Sequence, residues 1–415
     1  EGINKCSKCN IGYKLENGKC ILNYSFKAIY FTDMNKEVTL INSNCKDKIK
    51  EIYIDGINQT EIKNSYNLES GNHTIFVLLD INSLPGYMFY NCVDMKEIYF
   101  SSQFNNIEIN SMEQMFYGCR ALTSIDFSNF KIKNVTIMRS MFIYCSSLKN
   151  INISNIDISK VESMKGMFHK CNELEYIEFP NIKTKELKEI DEIFSNCSSL
   201  KSLDLSNFET NQITNFDKLF CGCNSLTSLN LSSFITTKVT RMNEMFADCY
   251  SLSSLDLSNF DTNNLVYMNR IFIGCIKLKS INLSSFKINK VSYLTEIFTN
   301  CSSLISLDLS TFNTENIVNM NNMFSGCSSL VSIDLSKFDT SKVQQMSGVF
   351  ADCSSLTSLD LSNFNTQKVS SMYNMFYGCS SLTSIDLSNF IGNSISSVNQ
   401  MFYRCSNLKN IDISS

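Results

Sequence analysis

The sequence is poor in the residues that make loops. It holds no tryptophan, 2 prolines and 14 glycines in 415 residues, although 43% of its residues are hydrophobic. Chains that build several loop-rich domains use more proline and glycine than this. The composition argues against a conventional multidomain protein, while the length allows a large core.

An excess of positive charge is also missing. The 36 basic and 40 acidic residues give a net charge of −4, and Lys and Arg are scattered singly. Nucleic acids and anionic membranes attract clustered positive charge, so we expect neither as a partner. The longest apolar run, "TIFVLLDI" at residues 74–81, is far shorter than the about 20 residues of a membrane-spanning helix. We expect no membrane insertion within this chain.

Signatures of catalysis are absent from the sequence as well. His73 and His169 are its 2 histidines, and there is no glycine-rich phosphate loop, H-E-x-x-H or G-x-S-x-G motif. We therefore expect no enzyme and no cofactor. The chain starts without Met and stops inside a repeat, which predicts a processed or partial chain.

What the sequence does contain is a repeat. "FSGCSSLVSIDLSKFDTSKVQQM" at residues 324–346 is followed by "FADCSSLTSLDLSNFNTQKVSSM" at residues 350–372. A fixed period of this length is typical of a solenoid, whose stacked coils bury a common core. The cysteines that mark the copies are Cys92, Cys119, Cys145, Cys171, Cys197, Cys223, Cys249, Cys275, Cys301, Cys327, Cys353, Cys379 and Cys405, with a step of 26 residues after a first step of 27.

The first half of each copy predicts a strand. Leu304, Leu307 and Leu309 follow an L-x-x-L-x-L pattern that alternates with Ser306 and Asp308. Alternation places the leucines on one buried face. Strands of successive copies then pair in parallel, and the Phe of the "MF" slot stacks on the Phe of the next copy.

The second half of each copy predicts a short helix. Val343, Met346, Val349 and Phe350 fall at i, i+3, i+6 and i+7, a spacing that shares one side of a helix. Thr340 precedes this segment and is expected to cap it. The equivalent threonines are Thr210, Thr236, Thr262, Thr314 and Thr366.

The predicted helix ends before the next ladder cysteine. The preceding residue is Gly, Asn or Asp in ten of thirteen copies, and these types tolerate a left-handed C-terminal turn. The exceptions are Tyr144, Lys170 and Arg404. The sequence thus predicts an α/β solenoid: a leucine-rich-repeat rod of about twelve coils, with one short parallel strand and one short helix per coil.

The repeat form "MFxxCxxLxxLxLSxFxT" resembles the BspA-like surface proteins, which carry leucine-rich repeats of the Treponema type. Pro180 stands where those repeats often have proline, in the slot that Ser206 and Ser258 fill elsewhere. The resemblance covers residues 87–415 and implies a secreted or cell-surface protein that adheres to other proteins or matrix macromolecules. A structural subunit of an extracellular fibre, filament or coat, assembled by self-association, is the alternative.

The aligned cysteines allow three interpretations. Cysteine behaves as a small apolar residue, buried where one half of a coil turns into the other, with its S–H donated to a nearby carbonyl. Disulfides between neighbouring coils fit the distance but not the required dihedral angle. Metal binding needs clusters or histidine partners that the repeat lacks. The first interpretation is favoured, and Cys221 stands outside the pattern.

The segment "CSKCNIGYKLENGKC" within residues 1–20 resembles the end of an EGF-like or growth-factor-receptor-type cysteine-rich module. The resemblance implies a Cys9–Cys20 disulfide, with Cys6 paired to a residue further upstream or to Cys45, and an oxidising compartment. A zinc site made by the same four cysteines is the rival.

Residues 21–86 contain no repeat and predict a small β-rich domain that caps the solenoid. The predicted strands are "SFKAIYF", "EVTLIN", "KEIYIDG" and "HTIFVLLD". Candidate glycosylation sites, which favour an extracellular location weakly, are Asn23, Asn58, Asn72, Asn134, Asn152, Asn196, Asn230, Asn282 and Asn300.

The exposed side of the predicted strands carries an acidic row between two rows of serine. Over the last five copies the row is uninterrupted and consists of Asp308, Asp334, Asp360, Asp386 and Asp412. Carboxylates one strand spacing apart repel each other. One hypothesis is a stripe that binds cations or a basic partner. The other is a set of solvated carboxylates that hydrogen-bond to the serines.

Overall fold

A computed structural model describes the backbone of residues 13–16 and 19–22, and residues 24–414 apart from 82–83, 131 and 393–394. The chain divides into two compact units, Glu1–Leu187 and Lys188–Ser415. Both units contain coils of a β-solenoid, in which leucines and isoleucines of short parallel strands face inward.

The regular elements of the first unit are mostly short strands, joined by turns. They are β1 (Tyr13–Glu16), β2 (Lys19–Leu22), β3 (Ser25–Thr32), β4 (Lys36–Thr39), β5 (Ile49–Ile54), β6 (Ile57–Asn58), β7 (Ser65–Leu68), β8 (Gly71–Leu79), β9 (Met95–Phe100), β10 (Ser124–Asp126), β11 (Asn150–Asn152) and β12 (Tyr176–Glu178), with 3-10 helices at Ser43–Lys48 and Ser102–Asn106. The four segments predicted as strands before the repeats are confirmed as β3, β4, β5 and β8.

One six-stranded sheet joins the N-terminal part of this unit to its coils. Its order is β10-β9-β3-β8-β5-β6. Strand β9 pairs in parallel with β10 on one side and antiparallel with β3 on the other. Phe26 of β3 also packs edge-to-face on Phe89, with ring centroids 5.0 Å apart. Strand β3 therefore occupies the edge of β9, which would otherwise present unpaired backbone groups.

The second unit contains β13 (Ser254–Asp256), β14 (Ser280–Asn282), β15 (Ser384–Asp386) and β16 (Asn410–Asp412). Strand β13 pairs in parallel with β14 and β15 with β16, each residue facing its equivalent in the next coil. Leu255 is buried between the exposed Ser254 and Asp256. Parallel pairing in register and inward-facing leucines are therefore confirmed.

The helix predicted for each coil is wrong. Successive tight turns replace it: the N–H of Ser325 donates to the carbonyl of Asn322 three residues back, at 3.2 Å. Alternate N–H groups leave the coil, and that of Phe324 donates to the carbonyl of Val349 in the next coil at 2.9 Å. Asn322 and Gly326 have φ of 54° and 75°. Two left-handed residues four positions apart cannot belong to an α-helix of L-residues.

The predicted capping threonines have a different role. Thr340 is buried, its Oγ1 donates to the carbonyl of Asn365 at 3.0 Å, and it accepts from the N–H of the same residue at 2.7 Å. The hydroxyl thus joins one coil to the next. The same donation, to a carbonyl 25 residues onward, is made by Thr210, Thr236, Thr262, Thr314 and Thr366.

The phenylalanines of the "MF" slot stack as predicted. Phe324 is fully buried, and its ring centroid lies 5.9 Å from that of Phe298 and 5.7 Å from that of Phe350. The interplanar angles are 3° and 12°. The ring of Phe324 is therefore removed from water between two aromatic faces, which couples its coil to both neighbouring coils.

The ladder cysteines are free thiols, so the disulfide alternative is wrong for them. The Sγ of Cys327 donates to the carbonyl of Phe298 at 3.2 Å, and the Sγ of Cys353 donates to that of Phe324 at 3.2 Å. Burial raises the pKa of Cys327 to about 12. This confirms the small buried residue with an S–H donor. Cys221, outside the ladder, is half-buried.

The residue before each ladder cysteine is left-handed in every coil, including Tyr144, Lys170 and Arg404. In the second unit its identity alternates. Asn300 is followed one coil later by Gly326, where an added Cβ would lie 2.3 Å from the Oδ1 of Asn300. The same arrangement holds for the pairs Asn196 and Gly222, Asp248 and Gly274, and Asp352 and Gly378. A glycine in every second coil therefore leaves space for the Asn or Asp side chain at the same slot of the preceding coil.

Candidate functional site

The outer surface of the coil strands in the second unit is the candidate functional site. Ser306, Asp308 and Ser310 are exposed, while Leu307 and Leu309 between them are buried. The equivalent residues of the other coils repeat this arrangement, and we call the surface between Ser202 and Asp412 the Ser–Asp face. Its side chains come from equivalent positions of successive coils, so residues of the same type are neighbours.

Each carboxylate of the Ser–Asp face closes a small turn. The Oδ1 of Asp308 accepts from the N–H of Ser310 at 2.9 Å, and that of Asp334 accepts from Ser336 at 2.9 Å. These hydrogen bonds favour the ionised form and lower the pKa of both aspartates. The neighbouring charge of Asp334 opposes this for Asp308, as a smaller effect. The predicted hydrogen bonding to serines is therefore found, with the backbone of Ser as donor.

The acidic row carries uncompensated charge. In the described part of the chain, Asp308, Asp360 and Asp386 have no ion-pair partner within 4.0 Å. The described residues also hold no group of three or more His, Cys, Asp or Glu side chains arranged for a metal ion. Cation binding by Asp308, Asp334, Asp360, Asp386 and Asp412 stays a prediction.

Two exposed aliphatic residues border the acidic row. Ile305 and Val331 are 54% and 46% exposed and lie in adjacent coils. Other coils have Thr, Lys, Ser or Glu at this slot, such as Thr357 and Lys279. This pair was not predicted, although an apolar residue at an otherwise polar slot is a visible signal. Exposed apolar area beside charge is typical of interfaces.

A charged cleft of about 530 Å³ lies at another edge of the second unit. Its charges pair across neighbouring coils: the Nε of Arg241 lies 2.7 Å from the Oδ2 of Asp217, and the Nζ of Lys218 lies 3.7 Å from the Oε2 of Glu244. Arg241 also lies over the ring of Tyr267. The charged side chains of the cleft thus form ion pairs with one another. Their arrangement is explained by the stacking of coils and does not require a ligand.

The N-terminal predictions fall largely outside the described residues. The EGF-like module, the Cys9–Cys20 disulfide and the zinc rival depend on side chains that the structure does not describe. Cys45, the alternative partner of Cys6, is a free and buried thiol in a 3-10 helix, and burial raises its pKa to about 11. The limits of residues 1–20, 21–86 and 87–415 as domains stay predictions.

The predicted glycosylation sites differ in accessibility. Asn196 is half-buried and Asn23 lies outside the described residues, while the others are exposed. Asn152, Asn230 and Asn282 occupy equivalent positions of their coils, and their Oδ1 atoms accept from the N–H of the sequon serine. Glycosylation stays a prediction at all of them.

Acid is expected to destabilise the second unit through the Ser–Asp face. A carboxyl group whose pKa is lower in the folded than in the unfolded chain stabilises the native state at any pH above its pKa in the unfolded chain. This stabilisation is lost as the pH falls through the pKa of the group in the folded chain. We expect the free energy of unfolding to decrease below about pH 4. Asp334→Asn with Asp360→Asn should flatten this decrease, because Asn accepts the same hydrogen bond without titrating. Denaturant titrations across the pH range measure it; an unchanged slope in the double variant would contradict the assignment.

Stacked coils, leucine-lined parallel strands and an exposed outer face define a leucine-rich-repeat β-solenoid, a scaffold that offers an extended surface to other proteins. The family profile described as "Mycoplasma protein of unknown function, DUF285" matches residues 85–203, 188–306 and 294–415. The matches cover most of the chain, which therefore belongs to this family. A "BspA type Leucine rich repeat region (6 copies)" matches residues 5–114. The BspA-type match thus lies over the N-terminal part and first coil, and not over the regular coils.

Comparison with other proteins adds little beyond the family. No curated protein matches the chain. One matching solved structure is the "Crystal structure of TLR13-ssRNA13 complex", with 18% identity and a TM-score of 0.27 over 75% of this chain and 44% of that one. The chain spans less than half the length of that structure. Within the part of the chain that the structure describes, no helix has the length and hydrophobicity needed to span a bilayer.

Proposed function

We propose that the protein is a secreted or cell-surface adhesion protein that binds other proteins or matrix macromolecules through its Ser–Asp face, and that it acts by binding and not by catalysis. The observation that carries the proposal is the exposed pair Ile305 and Val331 beside an uncompensated acidic row. The BspA-type match supports it. The chemistry of the face favours a partner with basic and aliphatic side chains.

The aliphatic pair provides the test. The chain itself shows which residue is tolerated at this slot, since Thr227, Thr357 and Thr383 occupy it in other coils. We expect Ile305→Thr with Val331→Thr to weaken binding to a surface coated with basic matrix proteins by at least about tenfold, since burying two aliphatic side chains contributes more than 1.4 kcal/mol. Biolayer interferometry measures the change in dissociation constant.

A matched control separates the face from general surface hydrophobicity. Ile276 is 40% exposed at a different slot, where Ser302 and Ser328 stand in other coils. Ile276→Ser removes a similar exposed group and should leave binding unchanged. Equal affinity of the native chain and the double threonine variant would refute the proposal for this face.

The alternative function, a subunit of an extracellular fibre, filament or coat, predicts a different behaviour in solution. One row of side chains repeated on every coil would allow lateral contact between copies. Sedimentation velocity at micromolar concentration distinguishes the two: an adhesion protein remains a single species, whereas a fibre subunit forms large, concentration-dependent assemblies.

A further inference from the structure

Three coils break the rule for the residue before the ladder cysteine. That residue is Gly, Asn or Asp in the other coils, but here it is Tyr144, Lys170 and Arg404, with φ of 63°, 61° and 64°. Long side chains are strained in the left-handed region. A residue type that the other coils avoid at this slot is a reason to look for a function at that position.

The first two exceptions lie together on the first unit. The ring of Tyr117 stacks on that of Tyr90 at 4.8 Å and meets that of Tyr144 at 5.9 Å. The Nζ of Lys170 lies 4.8 Å from the centroid of Tyr144, and the guanidinium carbon of Arg120 lies 5.9 Å from it. We call these five residues the first tyrosine–cation cluster.

The third exception lies in a cluster of the same kind on the second unit. Tyr377 and Tyr403 stack at 5.6 Å, and the guanidinium carbon of Arg404 lies 5.8 Å from both rings. These residues form the second tyrosine–cation cluster. Coils between the clusters have Ala247 and Ser325 at the slot of these tyrosines, so coil stacking does not require an aromatic residue there.

Both clusters present cations without carboxylate partners. Across the described residues, Arg120, Lys170 and Arg404 have no carboxylate partner, and the hydroxyls of Tyr90 and Tyr117 have no hydrogen-bond partner. The Nζ of Lys170 donates to the hydroxyl of Tyr144 at 3.2 Å, which leaves the proton of that hydroxyl free to point outward. Such a surface fits an anionic partner that supplies acceptors.

The geometry favours an acidic polypeptide over a nucleic acid. Tyr90 stacks on Tyr117 and Tyr377 stacks on Tyr403, so one face of each of these rings is already occupied and is not open to the base stacking on which single-stranded nucleic acids depend. The few cations are also fewer than the several phosphate contacts of nucleic-acid-binding proteins. Tyrosine and arginine together are enriched at protein interfaces. We propose that the two tyrosine–cation clusters are docking sites for acidic segments of a partner protein, independent of the Ser–Asp face.

A binding experiment on the full chain tests this. The probe is a fluorescein-labelled peptide of about ten glutamates, followed by fluorescence anisotropy at an ionic strength of about 50 mM, where screening is weak. The variant combines Tyr144→Gly, Lys170→Gly and Arg404→Gly. We expect it to bind at least about tenfold more weakly than the native chain. Its melting temperature should be unchanged or higher, because glycine accepts the left-handed conformation without strain.

A control variant and a second probe distinguish binding of acidic peptides at the clusters from a general effect of surface charge and from nucleic-acid binding. Arg241→Gln removes a cation that lies over Tyr267 but is already paired with Asp217, and it should leave peptide binding unchanged. Absence of peptide binding by the native chain, equal binding by the triple variant, or tighter binding of an oligothymidylate than of the peptide would each overturn the proposal. The variant with both Ile305→Thr and Val331→Thr should bind the peptide normally. The proposal for the tyrosine–cation clusters and the proposal for the Ser–Asp face are therefore tested independently.

Discussion

Replacing Phe324 by alanine is expected to lower the free energy of unfolding of the second unit by about 3–5 kcal/mol, the usual cost of deleting a buried aromatic side chain. Phe324 is fully buried and stacked on Phe298 and Phe350. The change therefore opens a cavity between three coils and interrupts the ladder through which they are coupled. Chemical denaturation followed by circular dichroism measures the difference.

Two further variants test the physical reason. Phe324→Leu keeps the site apolar but removes the ring stack, and we expect a loss of about 1 kcal/mol. Phe402→Ala removes a ring that is half-buried and stacks on one neighbour, Phe376, at 5.4 Å. Its effect should be clearly smaller than that of Phe324→Ala. Equal effects at Phe324 and Phe402 would show that stability does not depend on stacking between coils.

Replacing Thr340 by valine is expected to lower the free energy of unfolding by about 1–3 kcal/mol. Valine has nearly the same shape, but it leaves both the carbonyl and the N–H of Asn365 without the hydroxyl that serves them. Thr340→Ser keeps the hydroxyl and loses one methyl group, which costs about 0.8 kcal/mol. A larger loss for serine than for valine would mean that packing, and not hydrogen bonding, explains the buried threonine ladder.

The inward side of the coils could be predicted because its pattern has one physical explanation. Leucines that alternate with Ser306 and Asp308 bury one face of a strand, and a strict period places each residue on its equivalent in the next coil. The same reasoning placed the phenylalanines and cysteines in stacked columns, where the structure has them.

The spacing of apolar residues alone does not distinguish the predicted helix from the series of tight turns that the structure has. Buried residues such as Met346, Val349 and Phe350 recur every three or four positions both in a helix and in successive tight turns. The decisive feature is the left-handed residue at the slot of Asn322, but other coils place Glu244 or Arg270 there. Those types do not favour a left-handed conformation, so residue type at this slot is a weak signal for it.

The acidic and serine residues of the candidate site were predicted from the sequence, but its exposed aliphatic pair was not. The acidic row and its serines follow from the strand pattern. Ile305 and Val331 differ from the polar residues that most coils have at this slot, but whether they stay exposed depends on packing that a pattern of apolar residues does not specify. Tyr144, Lys170 and Arg404 were visible as exceptions, but only the backbone shows that they keep the left-handed conformation.

The alternation of Asn300 with Gly326, and of Asp352 with Gly378, limits how this protein can change its length. Gly326 and Gly378 lie 52 positions apart, so the smallest segment that repeats in both sequence and shape is a pair of coils. Gain or loss of one pair preserves the space for each amide or carboxyl group. Gain of a single coil would place two such side chains in adjacent coils, as at Tyr144 and Lys170, or leave two glycines together, so we expect the alternating run from Asn196 to Gly378 to change by pairs of coils.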